Sequence, residues 1–188
     1  MQTEILAYAT QLIQYCIDGD RQSQNQLYKQ FAPRMFAICL RYSKNREEAE
    51  EIVQEGFFQV FKSLKNFQHK GSFEGWMQKI VVYCAIQHYR NKSKLHPVVN
   101  IEKAEVEQSD TEDVFAQLSK KELLKMVQAL SPAYRMVFNL YVFEGMKHRE
   151  IAELLNISEG TSKSNLFDAK AILQRAVANS LKIAKQTY

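Results

Sequence analysis

Apolar residues return at spacings of three and four along most of this chain, and little interrupts them. The clearest run is Ala49, Ile52, Val53, Phe57, Val60, Phe61 and Leu64, a stripe down one side of a helix. With 6 Gly and 3 Pro in 188 residues there are few places where a helix is forced to break, so the expected fold is all-α. A composition of 46% hydrophobic and 24% charged residues suits a soluble globular chain of one or two small domains. No window approaches the roughly 18 uninterrupted apolar residues of a membrane span, and the N-terminus lacks the basic lead-in of a secretory signal. Direct membrane insertion is therefore not expected.

Three cysteines, Cys16, Cys39 and Cys84, stand isolated inside apolar helical pattern. Their odd number and wide spacing argue for core packing in a reducing compartment, taken to be the cytoplasm, and against disulfides or zinc. His69, His88, His96 and His148 are equally scattered, and no HExxH or phosphate-cradling Gly-rich loop occurs. Neither catalysis nor a cofactor is expected.

The segment GMKHREIAELLNISEGTSKSNLFDAK, Gly145 to Lys170, reads as two helices joined by a tight turn. Ile151, Leu154 and Leu155 give the first its apolar stripe, and Ile157 points back into the core from the turn. Ser158 is a good N-cap for the second, with Thr161 within its reach. Thr161, Ser162, Lys163, Ser164 and Asn165 are then expected to face outward at the helix N-terminus. In a helix-turn-helix unit that end enters the major groove of DNA. An ordinary αα-hairpin with a solvated polar face is the alternative at this level.

Charge divides the chain in three. Residues 1–94 hold 13 Lys/Arg against 9 Asp/Glu, residues 95–122 hold 3 against 7, and residues 123–188 hold 9 against 5. The stretch HPVVNIEKAEVEQSDTED has no sustained periodicity, so the expected organisation is a helical domain over 1–94, a flexible acidic linker over 95–113 and a second helical domain over 114–188. In the first domain a helix ends at Gly19, a second spans about Arg21–Phe31, and a third starts at Pro33 and runs to Tyr42. Asn45 caps the next, whose first half is lined with Glu47, Glu48, Glu50, Glu51 and Glu55. A polar loop, 65–71, leads to a long helix capped by Ser72, with Phe73 and Trp76 read as core aromatics. In the second domain helicity resumes near Val114 and runs to Leu130; Ser131-Pro132 then opens a helix to about Phe143.

In this order the pieces resemble the extracytoplasmic-function (ECF) group of bacterial sigma factors, in the sigma-70 family. LYKQFAPRMFAICLRYSKNREEAEEIVQEGFFQVFKSLKNF with GSFEGWMQKIVVYCAIQHYRNK looks like the family's second conserved region, and LSPAYRMVFNLYVFEGMKHREIAELLNISEGTSKSNLFDAK like its fourth. The resemblance implies a sigma factor with core RNA polymerase and promoter DNA as partners, an anti-sigma factor being a further candidate. It assigns Glu47, Glu50, Glu51, Gln54 and Glu55 to the polymerase clamp. It assigns Asn66, His69, Lys70 and Ser72 in the loop to the −10 element, with Lys79, Tyr83, Gln87 and Arg90 along one face of the following helix. To the −35 element it assigns Arg149, Thr161, Ser162, Lys163, Ser164, Asn165 and Lys170.

The chain departs from the family pattern at several of these places. Val82 and Tyr83 stand where a basic residue and Asn are frequent, and Gln87 where Asp is frequent. Asn165 and Asp168 stand where Arg is frequent, and Lys147 where a Ser or Thr cap is usual. Asp168 is left between accepting from a cytosine amino group and pairing with Lys170 or another neighbour. A stand-alone helix-turn-helix regulator is the competing function; it explains the C-terminal motif and leaves the acidic helix without a role.

Overall fold

A computed structural model describes residues 11–95 and 119–186, with side chains over 11–92 and 119–182. The chain divides into two compact units, 1–88 and 89–188.

In the first unit, residues 11–17 form α1, which buries Leu12, Ile13 and Cys16. The left-handed Gly19 (φ 88°) ends it. Asp20 then caps α2 (Arg21–Tyr42), its carboxylate accepting the Ser23 N–H at 2.8 Å. The separate helices expected on either side of Ala32 are one continuous helix, with Pro33 in its interior. An interior proline removes a backbone bond and costs about 3 kcal/mol. Tertiary packing overrides that local preference, since Leu27 before the proline and Met35 and Cys39 after it are all fully buried. The Pro33 ring itself lies on the solvent side.

Helix α3 (Arg46–Ser63) is capped by Asn45, which accepts the Glu48 N–H at 3.0 Å. Its core face is Ala49, Ile52, Val53, Phe57 and Val60, against α2. A 3₁₀ turn (Leu64–Asn66) continues the stripe through buried Leu64. Helix α4 (Phe73–Leu95) starts where Ser72 accepts the Gly75 N–H at 3.0 Å, and it buries Met77, Val81, Cys84 and Ala85. Gly56 lets α4 approach closely, for a Cβ there would lie 2.8 Å from Val81 Cγ2. The three cysteines are buried and free. Burial pushes the thiols of Cys16, Cys39 and Cys84 up to about 11, 12 and 11.

In the second unit α5 (Lys120–Ala129) begins at a reciprocal capping box. Ser119 Oγ accepts the Glu122 N–H at 3.3 Å, and Glu122 accepts the Ser119 N–H at 2.9 Å. Ser119 has extended backbone (φ −69°, ψ 149°), so α5 starts after it, and the helical start expected near Val114 lies outside the described residues. Residues 96–118, which include most of the expected linker, lie outside the described residues. Helix α6 (Pro132–Val142) follows its Ser131 cap and buries Met136, Val137, Asn139 and Leu140. Helices α7 (His148–Leu155) and α8 (Glu159–Gln186) complete the unit, closing a core of Val137, Leu140, Ile151, Ala169 and Val177. Each fully buried Val, Leu or Ile side chain contributes about 1.5–3 kcal/mol.

Candidate nucleic-acid interface

On α3 the core stripe leaves the opposite face to carboxylates. Glu47, Glu50, Glu51, Gln54 and Glu55 are all exposed, at helical spacings that make one surface. Glu50 pairs with Arg46 at 2.7 Å and Glu55 accepts from Gln59 at 2.7 Å, both within α3. Glu48 stands apart. It is tied to the Lys44 N–H and to His88 Nε2 of α4 at 3.0 Å, and so it fixes the fold. Phe58, 61% exposed, extends the acidic surface by one turn.

The loop before α4 is held by aromatic rings. Phe67 lies 5.1 Å from Phe73 and 5.4 Å from Trp76, while Phe73 stacks on Trp76 at 5.6 Å. Those rings anchor the loop. Asn66, His69, Lys70 and Ser72 project from it exposed. His69 has left-handed backbone (φ 55°), and its ring lies 4.7 Å from Phe67. Ser72 already serves as the α4 cap. Along α4, Lys79 and Tyr83 are exposed and Gln87 and Arg90 half-buried, at spacings of four, four and three that place them on one face.

The second site is built on the turn between α7 and α8. Lys147 offers no side-chain cap, yet Glu150 accepts its N–H at 2.7 Å, so α7 is closed from the other half of the box. Asn156 takes left-handed backbone (φ 55°, ψ 49°), which asparagine tolerates, and the Ile157 N–H returns to the Ala152 carbonyl at 3.0 Å. Ser158 Oγ accepts the Thr161 N–H at 2.9 Å and lies 2.8 Å from the Thr161 hydroxyl, which opens α8.

Thr161, Lys163, Ser164 and Lys170 are exposed on α8, and Asn165 is half-buried. Arg149 is exposed on α7 and pairs with Glu153 at 3.2 Å. Lys163 pairs with Glu159 at 2.7 Å and holds that carboxyl below its ordinary range. Such solvent-exposed (i, i+4) pairs are screened by water and contribute little, so both cations can exchange their carboxylates for phosphates at little cost. Ser162 does not face outward. It is fully buried, on one helix face with Leu166 and Ala169, and its hydroxyl lies 3.0 Å from His148 Nδ1. The His148 ring in turn stacks on Tyr141 at 4.7 Å. A small polar residue at a core register position gives no hydrophobic signal, which is why Ser162 reads as surface in the sequence.

Asp168 finds its partner outside its own helix, where Tyr134 of α6 donates to its Oδ2 at 3.2 Å. Burial, with the carboxylate beside it, raises the Tyr134 hydroxyl above its ordinary pKa and keeps it a donor. Phe167, 55% exposed, sits on the outward face with Lys163 and Ser164, and periodicity does not single it out. Tyr141, Val142 and Phe143 are exposed at the end of α6, whereas Leu140 is core. Among the described residues no helix is long and apolar enough to cross a membrane.

The two sites fall within matches to two family models: Sigma-70 region 2 over residues 27–95, and Sigma-70, region 4 over residues 120–173. Together they span well over half of the chain. It is 27% identical over 161 residues to the ECF RNA polymerase sigma factor SigE of Mycolicibacterium smegmatis, covering 83% of this chain and 62% of that relative's length. Against the RNA polymerase sigma-H factor of Pseudomonas aeruginosa it is 21% identical over 185 residues, covering 93% of this chain and 96% of the relative. Among solved structures it is similar to the sigma factor RpoE from Bartonella quintana, crystallised with the anti-sigma factor NepR, at TM-score 0.47 and 19% identity over 82% of this chain and 96% of that one.

Proposed function

Because this chain belongs to the sigma-70 family, as an extracytoplasmic-function sigma factor, we propose that it binds core RNA polymerase and directs it to promoters, opening the −10 element and starting transcription in the cytoplasm. It acts by binding and has no catalytic step of its own. The observation that carries this reading is the pairing, in one chain, of an exposed carboxylate surface on α3 with a helix-turn-helix whose second helix is capped by Ser158. A stand-alone DNA-binding regulator needs only the second.

Residues 1–94 form the lobe that grips the polymerase and the −10 element. Glu47, Glu50, Glu51, Gln54 and Glu55 face basic helices of the clamp, where charge complementarity gives orientation and fast association more than raw affinity. Asn66, His69, Lys70 and Ser72 ring the place of an unstacked base, and Lys79, Tyr83, Gln87 and Arg90 follow the strand by phosphate contact and stacking. Residues 114–188 form the −35 lobe. Thr161, Lys163, Ser164 and Asn165 enter the major groove, with Arg149 and Lys170 at the backbone; Ser162 supports α8 from beneath. Phe167 offers apolar surface of the kind that suits a thymine methyl group. The acidic residues 95–113 tether the lobes and suit a basic channel in the enzyme. A partner that holds the chain off the polymerase, an anti-sigma factor, would compete for the same surfaces.

Run-off transcription with reconstituted core polymerase tests the assignment. Glu51→Lys with Glu55→Lys is expected to abolish association with core enzyme. Lys163→Ala should leave association intact and weaken promoter-specific transcription. Both substitutions are at exposed positions, so the melting temperature should hold. A native chain that binds promoter duplex tightly by itself, and neither co-purifies with core enzyme nor changes where it initiates, would refute the reading.

A further inference from the structure

An aspartate in a groove-reading helix is an electrostatic liability, because the groove is walled by phosphates. Asp168 of α8 is nonetheless held in place by Tyr134, whose hydroxyl donates to Oδ2 at 3.2 Å from the neighbouring helix. That bond engages one carboxylate oxygen and turns it towards α6, leaving Oδ1 to accept. Asp168 is half-buried and continues the row of exposed Thr161 and Ser164, at spacings of three and four. It therefore lies at the edge of the outward surface and not in the core with Ser162, Leu166 and Ala169.

Resting on the reading of α8 as the −35 helix, we propose that Asp168 is a specificity-determining residue that accepts a hydrogen bond from the N4 amino group of a cytosine in the −35 element, with Tyr134 as its positioning residue. Cytosine is the base that suits a fixed acceptor. In the major groove its hydrogen-bonding group is a donor, whereas guanine and thymine present acceptors that repel a carboxylate, and adenine sets an acceptor N7 beside its amino group. The same charge that attracts cytosine rejects the others, so it selects by exclusion as much as by attraction. The orientation set by Tyr134 makes a further statement possible. In Asp168→Asn the side-chain oxygen stays with the Tyr134 hydroxyl and an NH₂ group takes the place of Oδ1, which reverses the hydrogen-bonding polarity offered to the groove.

The test is run-off transcription by the reconstituted holoenzyme on promoters randomised through the −35 element, with the transcribed templates sequenced. The native chain is expected to prefer cytosine at one −35 position by about tenfold. Asp168→Asn should abolish that preference, favour guanine or thymine there, and leave the remaining positions unchanged. Tyr134→Phe should weaken the cytosine preference several-fold without replacing it. A variant Asp168→Asn that lowers transcription equally on all templates, or that still favours cytosine, would make Asp168 a purely structural residue and overturn the proposal. Selection of a −35 element with no cytosine position would overturn the proposal alone. Absence of any −35 selection by the native chain would remove the groove-reading role of α8 as well.

Discussion

Gly56→Ala tests how tightly α3 and α4 are fitted together. The added Cβ would meet Val81 Cγ2 at 2.8 Å, and Val81 Cα and Cβ at 3.5 Å. Val81 is fully buried and β-branched, so its methyl cannot swing away without a rotamer change. Overpacking of this kind costs about 1–3 kcal/mol, while replacing a mid-helix glycine by alanine returns about 1 kcal/mol. The net expectation is a loss of about 1 kcal/mol, which in a lobe of this size lowers the melting temperature by about 4–8 °C. Thermal unfolding followed by far-UV circular dichroism measures it. The diagnostic comparison is the double variant Gly56→Ala with Val81→Ala. Removing the valine methyls relieves the clash, so the pair should be more stable than the sum of the two single losses by at least about 0.5 kcal/mol. Strict additivity, or a Gly56→Ala protein more stable than the native one, would show that α4 is not seated on α3 as described.

Ser158→Ala removes the oxygen that receives the Thr161 N–H at 2.9 Å; the expected loss is about 1 kcal/mol in the second unit, seen as a lowered thermal transition and as weaker −35-dependent transcription with core binding preserved. The three cysteines should resist thiol reagents at neutral pH in the folded chain and react promptly once unfolded by denaturant. The same burial sets a pH dependence. Thiols raised to about 11, 12 and 11 in the folded state keep their protons longer than in the unfolded chain. Their contribution to stability is thus full below the ordinary thiol pKa of about 8.5 and is lost as pH rises from there through the folded values. Chemical denaturation at stepped alkaline pH should show that loss, and a triple Cys→Ala variant should show less of it.

Much of the fold was legible because its signals are local. The stripe from Ala49 to Leu64, the caps Asn45, Ser72, Ser131 and Ser158, and the break at Gly19 each depend on residues within a turn or two of one another. The errors have a common origin in packing from a distance. Pro33 reads as a helix start because its local preference says so, yet α2 passes through it with buried residues on both sides. The capping box at Ser119, by contrast, is local, and it sets the start of α5 at Lys120.

The candidate sites divide in the same way. The carboxylate surface of α3 and the outward row Thr161, Lys163 and Ser164 follow from helical spacing, since one stripe of apolar residues dictates what faces water. Helical spacing goes no further than that. It could not assign Ser162, whose hydroxyl is turned inward to His148, or Asp168, whose partner Tyr134 is on another helix.

By itself, then, the order of residues determined that this chain is helical, where most helices begin, and which two family regions it carries, because periodicity and capping act over a few residues. Only the tertiary structure decided whether a polar side chain on those helices meets solvent, another helix or a buried hydroxyl. Those contacts join residues far apart in the chain, such as Glu48 with His88 and Tyr134 with Asp168. A hydrogen bond to a distant partner leaves no periodic trace in sequence, and here such bonds decide how the polar groups of these helices are oriented.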